Sequence, residues 1–154
     1  VKLNEELNKT YINYGAAAPA AKARQVAQDS NAAAKPESGA QVQRIVSKAS
    51  ANYFNSGWDL VDASKDKSFD ITKVKEADLP EEMKITSVKE RKAHLVKKTA
   101  ERAEIQKKVL TLNKEREAYV ATQRKESAKT DTLDTAMVKA LRTQAEKKGI
   151  AWEK

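Results

Sequence analysis

Between Thr86 and Glu126 the chain contains neither glycine nor proline, and it is dense in Ala, Glu, Lys, Arg, Gln and Leu. Those are the strongest helix formers. Ser87 followed by Glu90 is a capping box set just ahead of the apolar pattern. As one helix, these roughly 40 residues extend about 60 Å at 1.5 Å per residue. A compact globule of this chain length has a radius of gyration of only about 15 Å. The stretch therefore predicts an all-α fold: an elongated helical bundle built on one long helix (about 86–126), with a C-terminal helix (about 132–148) and shorter N-terminal helices.

The apolar residues of the long helix do not keep to one line. Advancing 100° per residue from Val88, the first set (Val88, Leu95, Val96, Ala100, Ala103) centres at about 60°. The second set (Ile105, Val109, Leu112, Tyr119, Val120) centres at about 280°, with Leu110 as an outlier. A shift of roughly 140° near Ala103–Ile105 far exceeds the drift of about 20° per heptad in a coiled-coil seam. Two halves facing two partners, or a break in the helix, would each produce it. The first half is expected against Trp58 and its neighbours, and the second against the final helix or something outside the chain.

Ahead of the long helix the elements are shorter. Leu3 and Leu7 mark a brief amphipathic turn or strand ending at Gly15. Residues 16–34 form an Ala-rich helix with Pro19 in its first turn and a weak face of Ala20, Ala23, Val26 and Ala27. Lys35-Pro36-Glu37-Ser38-Gly39 is a break, which divides an N-terminal segment (1–38) from a helical domain (39–154). Val42, Ile45, Val46, Ala49 and Tyr53 then make a good helical stripe. Ser56 is the expected cap of a short helix carrying Trp58, Leu60 and Val61, and Asp78 that of a one-turn helix at Pro80–Met83. Tyr53, Phe54, Trp58 and Phe69 concentrate half of the eight aromatics, so they are the expected heart of the core. Asp131 or Asp134 opens the final helix, whose face is Leu133, Met137, Ala140, Leu141 and Ala145, and Gly149 stops it in the left-handed conformation.

Composition narrows the chemistry. Without cysteine there is no disulfide, thiol nucleophile or thiolate metal site. No apolar run reaches the 18 or so residues of a membrane span. The chain begins at Val1 with no signal-peptide pattern, which reads as a mature product or a fragment of something longer. From Lys84 to Lys129 there are 14 basic and 6 acidic residues, a surplus of +8 that equals the net charge of the whole chain. An acidic partner suits such a helix.

No catalytic set emerges. His94 is the single histidine, which rules out a two-histidine zinc site from this chain's own residues; on its helix it reads as a surface or packing residue. No glycine-rich phosphate loop is present. Asp62 to Lys73 places oxygen-bearing side chains at alternate positions like a calcium loop, but Lys67 replaces its turn glycine and Lys73 its bidentate glutamate. A polar connecting loop is the expected reading. Glu101, Glu104, Glu115 and Glu117 have no apolar pocket to raise a pKa; Glu104 with Lys108 and Lys97 with Glu101 read as surface pairs. No catalytic, cofactor or metal residue is expected. The residues that stand out are cations on the long helix: Lys89, Arg91, Lys92, Lys97, Lys98, Lys107 and Lys108. They are a candidate interaction face for a protein, or alternatively for a phosphate backbone, although six acids interleave and Tyr119 is the one aromatic available for stacking.

Several segments taken in order (NKTYINYG at 8–15, ASANYFNSGWDLVDASKD at 49–66, DLPEEM at 78–83, ERKAHLVKKTAERAEIQKKVLTLNKEREAYV at 90–120 and TLDTAMVKALRTQAEKKG at 132–149) resemble the helical region that follows a von Willebrand factor A domain in certain bacterial exported proteins. The family's A domain binds a divalent metal through an Asp-x-Ser-x-Ser loop. Here Asp62-Ala63-Ser64-Lys65-Asp66 has aspartate in place of the second serine and lies in a helical context, so metal-dependent adhesion carries over to no residue. What the resemblance implies is an extracytoplasmic location (periplasm or cell surface) and a role appended to a larger protein, with no activity assigned. The expectation is a non-catalytic helical packing and interaction module, its partner a protein or an adjacent domain of the same precursor; the alternative is a basic nucleic-acid or polyanion binder.

Overall fold

The computed structural model describes residues 2–35, 37, 39–127 and 133–150. Its helices are α1 (Lys2–Asn8), α2 (Ala18–Ala33), α3 (Ala40–Ala49), α4 (Leu60–Ala63), α5 (Glu81–Lys84), α6 (Val88–Ser127) and α7 (Leu133–Lys147), with 3-10 turns at Ile71–Lys73 and Glu76–Asp78. The single β pairing among the described residues is an antiparallel bridge between Asn13 and Asp59. The all-α expectation is met, and the long and C-terminal helices fall within two residues of their expected spans. Asp131 lies outside the described residues, as do Pro36 and Ser38 of the break and the side chains of Leu133 and Asp134.

Two compact units divide the chain, Val1–Asn113 and Lys114–Lys154. In the first, the segment after α1 lies beside the start of α4: Tyr14 N–H donates to the Trp58 carbonyl (2.9 Å) and Leu60 N–H to the Ile12 carbonyl (2.9 Å). Gly15 turns this segment away with a φ of 77°, donating to the Asp78 carbonyl at 2.8 Å. The core that results is Ile12, Leu60, Val61, Ile71, Leu79, Met83 and Leu95. Burying such side chains contributes about 1.5–3 kcal/mol each. The aromatics are not its heart. Phe69 packs against it from a half-buried position, Tyr53 and Trp58 are half-buried, and Phe54 is exposed. Trp58 is instead stacked on Tyr11, Tyr53 lies beneath Arg44 and Phe54 beneath Lys65, each at a polar margin of the core.

Local caps correct two further expectations. Asp59, not Ser56, caps α4, its carboxylate accepting from Asp62 N–H at 3.1 Å. Asp78 closes the second 3-10 turn, and α5 starts after Pro80 with no side-chain cap. The capping box of α6 is present: Ser87 N–H and hydroxyl donate to Glu90 Oε2 at 2.8 and 2.6 Å, and Glu90 N–H donates back to Ser87 Oγ at 3.3 Å. Pro19 sits in the first turn of α2. That helix, however, buries Ala18, Ala21 and Gln25 in place of the face Ala20, Ala23, Val26 and Ala27.

α6 is continuous, so no break divides it. Within the first unit its inward residues include Arg91, Leu95, Lys98, Thr99, Arg102, Ile105 and Val109, with Gln106 and Asn113 on the same side and Glu101 at its edge, a single stripe at about 310° on the same wheel. The shift between two faces is thereby overturned. Val96 is 70% exposed, Val88 42% and Leu110 40%, and Ala100 and Ala103 are exposed as well. Most of the apolar set near 60° faces solvent, and the inward line is completed by a buried arginine.

In the second unit α7 ends as expected. Gly149, with φ 73°, donates to the Glu146 carbonyl and Ile150 N–H reaches back to Ala145, both at 3.0 Å. These are the two bonds of a Schellman motif. The apolar residues Met137, Val138 and Leu141 of α7 are exposed. No helix among the described residues is long and apolar enough to cross a membrane.

Candidate functional site

Two polar assemblies and one surface stand out in the first unit. Arg102 is the centre of the first assembly. Its guanidinium donates to Asp59 through Nη1 (2.5 Å) and Nη2 (3.3 Å), to the Thr10 hydroxyl through Nε (2.9 Å) and to the Thr10 carbonyl through Nη2 (2.8 Å). Asp62 lies 3.2 Å from Nη1. Asp59 also accepts from Ile12 N–H at 2.9 Å. Asp62 accepts from Asn55 N–H at 2.9 Å and from Lys65 Nζ at 2.7 Å. Asp59, Asp62 and Arg102 are all buried, so this is a closed ion cluster whose valences are taken by the protein. It ties α6 to α4 and to the segment after α1. Tyr11 lies over the guanidinium at 4.1 Å and stacks on Trp58 at 5.6 Å. Burial raises its phenol above the ordinary value, against the opposing pull of the Arg102 cation.

The second assembly joins α1, α2 and α3. Lys48 is fully buried and donates to Asp29 (2.9 Å), Asn4 (2.9 Å) and Asn8. Asp29 also accepts from Asn4, Asn8 and Arg44 at 3.0, 2.8 and 2.8 Å. Burial pushes the Asp29 carboxyl up, but the hydrogen bonds from Asn8, Lys48, Asn4 and Arg44 outweigh it and hold it well below the usual carboxylate range. Burial lowers Lys48, and Asp29 offsets this in part. An alanine-rich helix buries little apolar area, so these charge-assisted bonds carry much of its docking.

The calcium-like stretch does not form a loop around a cation. Asp62 turns inward to Arg102, while Asp66 and Asp70 are hydrogen-bonded to their own turns through Ser68 and Thr72. Among the described residues no group of three or more His, Cys, Asp or Glu side chains is placed to hold a metal. His94 is exposed on α6.

The seven cations of the long helix separate into groups. Arg91 donates to the Met83 and Lys84 carbonyls at 2.8 and 3.0 Å, closing the end of α5. Lys98 pairs with Glu101 at 2.8 Å, taking the place expected for Lys97. Lys89, Lys92, Lys97, Lys107 and Lys108 are exposed. By helical phase, Lys89, Lys92 and Lys107 lie within the solvent-facing stripe of Val88, Val96, Ala100, Ala103 and Leu110, interleaved with its apolar residues, and Lys97 and Lys108 lie further round. No carboxylate of the first unit lies within that stripe. Ile85, 90% exposed, precedes it.

Sequence reasoning missed Arg102 and Lys48, because a charged residue in an apolar line reads as a surface position. The available signal was Asp59 and Asp62, two acids flanking the apolar pair Leu60-Val61 on a short helix. Compared with protein-family models, with curated proteins and with solved structures, the chain matches none.

Proposed function

We propose that this chain is a non-catalytic helical interaction module of a larger exported bacterial protein, and that it docks a protein partner, or an adjacent domain of the same precursor, through the outer face of α6. The observation that carries the reading is the exposed stripe of Val88, Val96 and Leu110, with Ile85 before it and Lys89, Lys92 and Lys107 interleaved along it. Exposed apolar side chains set among cations, with no carboxylate between them, mark a face suited to interaction. The lysines favour a partner with acidic residues around an apolar centre and steer its approach. The exported setting is supported by the resemblance of the sequence segments described above.

A chain without cysteine makes the test clean. Val96→Cys places one thiol on the face, and Lys67→Cys places one on an exposed loop as the control. In the purified chain both are expected to react rapidly with a membrane-impermeant maleimide. In producing bacteria with a permeabilised outer membrane, the Lys67→Cys thiol should still react and the Val96→Cys thiol should be protected several-fold. Equal reaction at both sites refutes docking, and no reaction at either refutes export. Binding of the purified chain to DNA or RNA that weakens steeply with salt would replace this reading with the polyanion one.

A further inference from the structure

We propose that the cleft between α2 and the link from α3 to α4 binds a small carboxylate-bearing molecule, of the size of one amino acid or one sugar acid. The cavity measures about 290 Å³ and its lining includes Arg24, Gln25, Gln28, Tyr53, Asn55 and Trp58. That volume is at the lower end for small-molecule sites. It lies within the first unit and is separate from the outer face of α6.

Two of its residues hold hydrogen-bonding capacity that the protein leaves unused. Gln25 is only 6% exposed and its amide nitrogen has no hydrogen-bond partner. The Asn55 amide nitrogen is buried and without a partner as well. Leaving a buried donor unmade opposes folding, and an apolar residue of similar shape would remove that cost. Both residues line the cleft, and rotation of either side-chain amide toward it would offer the unused donor to acceptor oxygens of a ligand. Arg24 adds a charge. Its guanidinium is exposed, forms no ion pair with any described residue, and meets no carboxylate among the cleft's lining. A planar guanidinium fork matches a carboxylate through two parallel hydrogen bonds.

The walls are fixed before any ligand arrives. Trp58 is stacked on Tyr11. Tyr53 has Arg44 over its ring at 5.3 Å, and its hydroxyl accepts from Arg44 Nη2 at 3.3 Å. Asn55 is anchored through its main chain by Asp62. Sites prepared in this way lose little freedom on binding, which raises affinity for a small ligand.

The test uses the full chain carrying Trp152→Phe, so that Trp58 is the sole tryptophan. Its fluorescence is followed during titration with D-glucuronate against D-glucose, and with L-leucine against L-leucinamide. The expected result is a saturable response to at least one acid and none to its neutral or cationic counterpart; the responding pair separates a sugar acid from an amino acid. Arg24→Ala should weaken that response at least tenfold. Gln25→Leu should abolish it while leaving thermal stability equal or higher, which separates loss of a ligand contact from loss of fold. A response to glucose or leucinamide equal to that of the acids overturns the proposal. So does the absence of any response up to about 10 mM, and in that case a stabilised Gln25→Leu marks the cleft as a solvent crevice.

Discussion

Replacing Arg102 with methionine removes the cation that holds α6 against α4 while roughly keeping the length of the side chain. In the folded protein it leaves Asp59 and Asp62 buried with their shared cation gone. It also frees the Thr10 hydroxyl and carbonyl from the donors at 2.9 and 2.8 Å. Breaking one partner out of a buried ion pair costs about 3–5 kcal/mol, a large share of the 5–15 kcal/mol that stabilises an ordinary domain. With a urea dependence of about 2 kcal/mol per molar, the unfolding midpoint read from Trp58 fluorescence and far-ultraviolet dichroism should fall by roughly 1.5–2.5 M. Arg102→Lys keeps the charge but loses the fork geometry and should fall between the parent and the methionine variant. The double variant Arg102→Met/Asp59→Asn should be less destabilised than the sum of its parts, with a coupling of about 0.5–3 kcal/mol. An Arg102→Met protein within about 1 kcal/mol of the parent would refute the claim that this cluster anchors the helix, since even one lost hydrogen bond to a charged group is worth about 1.5–3 kcal/mol.

Other perturbations separate the remaining contacts. Asp29 has its folded pKa depressed, so its contribution is complete above the unfolded value of about 3.9 and is lost as pH falls below it toward the folded value. Urea midpoints measured from pH 7 down to pH 3 should decline at the acid end, and Asp29→Asn should flatten that decline while lowering stability at pH 7, because Lys48 is then buried without its counter-charge. Leu60→Ala, at a fully buried position, should cost about 2–5 kcal/mol by urea unfolding; a cost under 1 kcal/mol would contradict its place in the core. Ser87→Ala should remove the cap of α6 and about 0.5–2 kcal/mol, seen as a lower melting temperature with the fold retained. Lys92→Glu on the outer face should leave the melting temperature nearly unchanged, because exposed substitutions of this kind stay within about 0.5 kcal/mol.

Much of the architecture was legible because it depends on neighbours in sequence. The span of α6 follows from a run without breakers, its start from Ser87 and Glu90, and the end of α7 from Gly149. Each of these is settled by backbone geometry within a turn or two. Which side of α6 turns inward was not legible in that way. Hydrophobic periodicity counted Val88, Val96, Ala100 and Ala103 and found a face, whereas the tertiary structure turns Arg102 toward Asp59, 43 residues away in sequence. Two carboxylates buried without a cation would be strongly destabilising, and the Arg102 that meets them sets which side of the helix turns inward. Lys48 and Asp29 settle the docking of α2 by the same principle, against the expectation from its alanines. Local propensity and capping are enough to place where these helices form and stop. The faces they bury depend on contacts distant in sequence, because Asp59 and Asp62, once buried beside Leu60 and Val61, are costly unless Arg102 meets them.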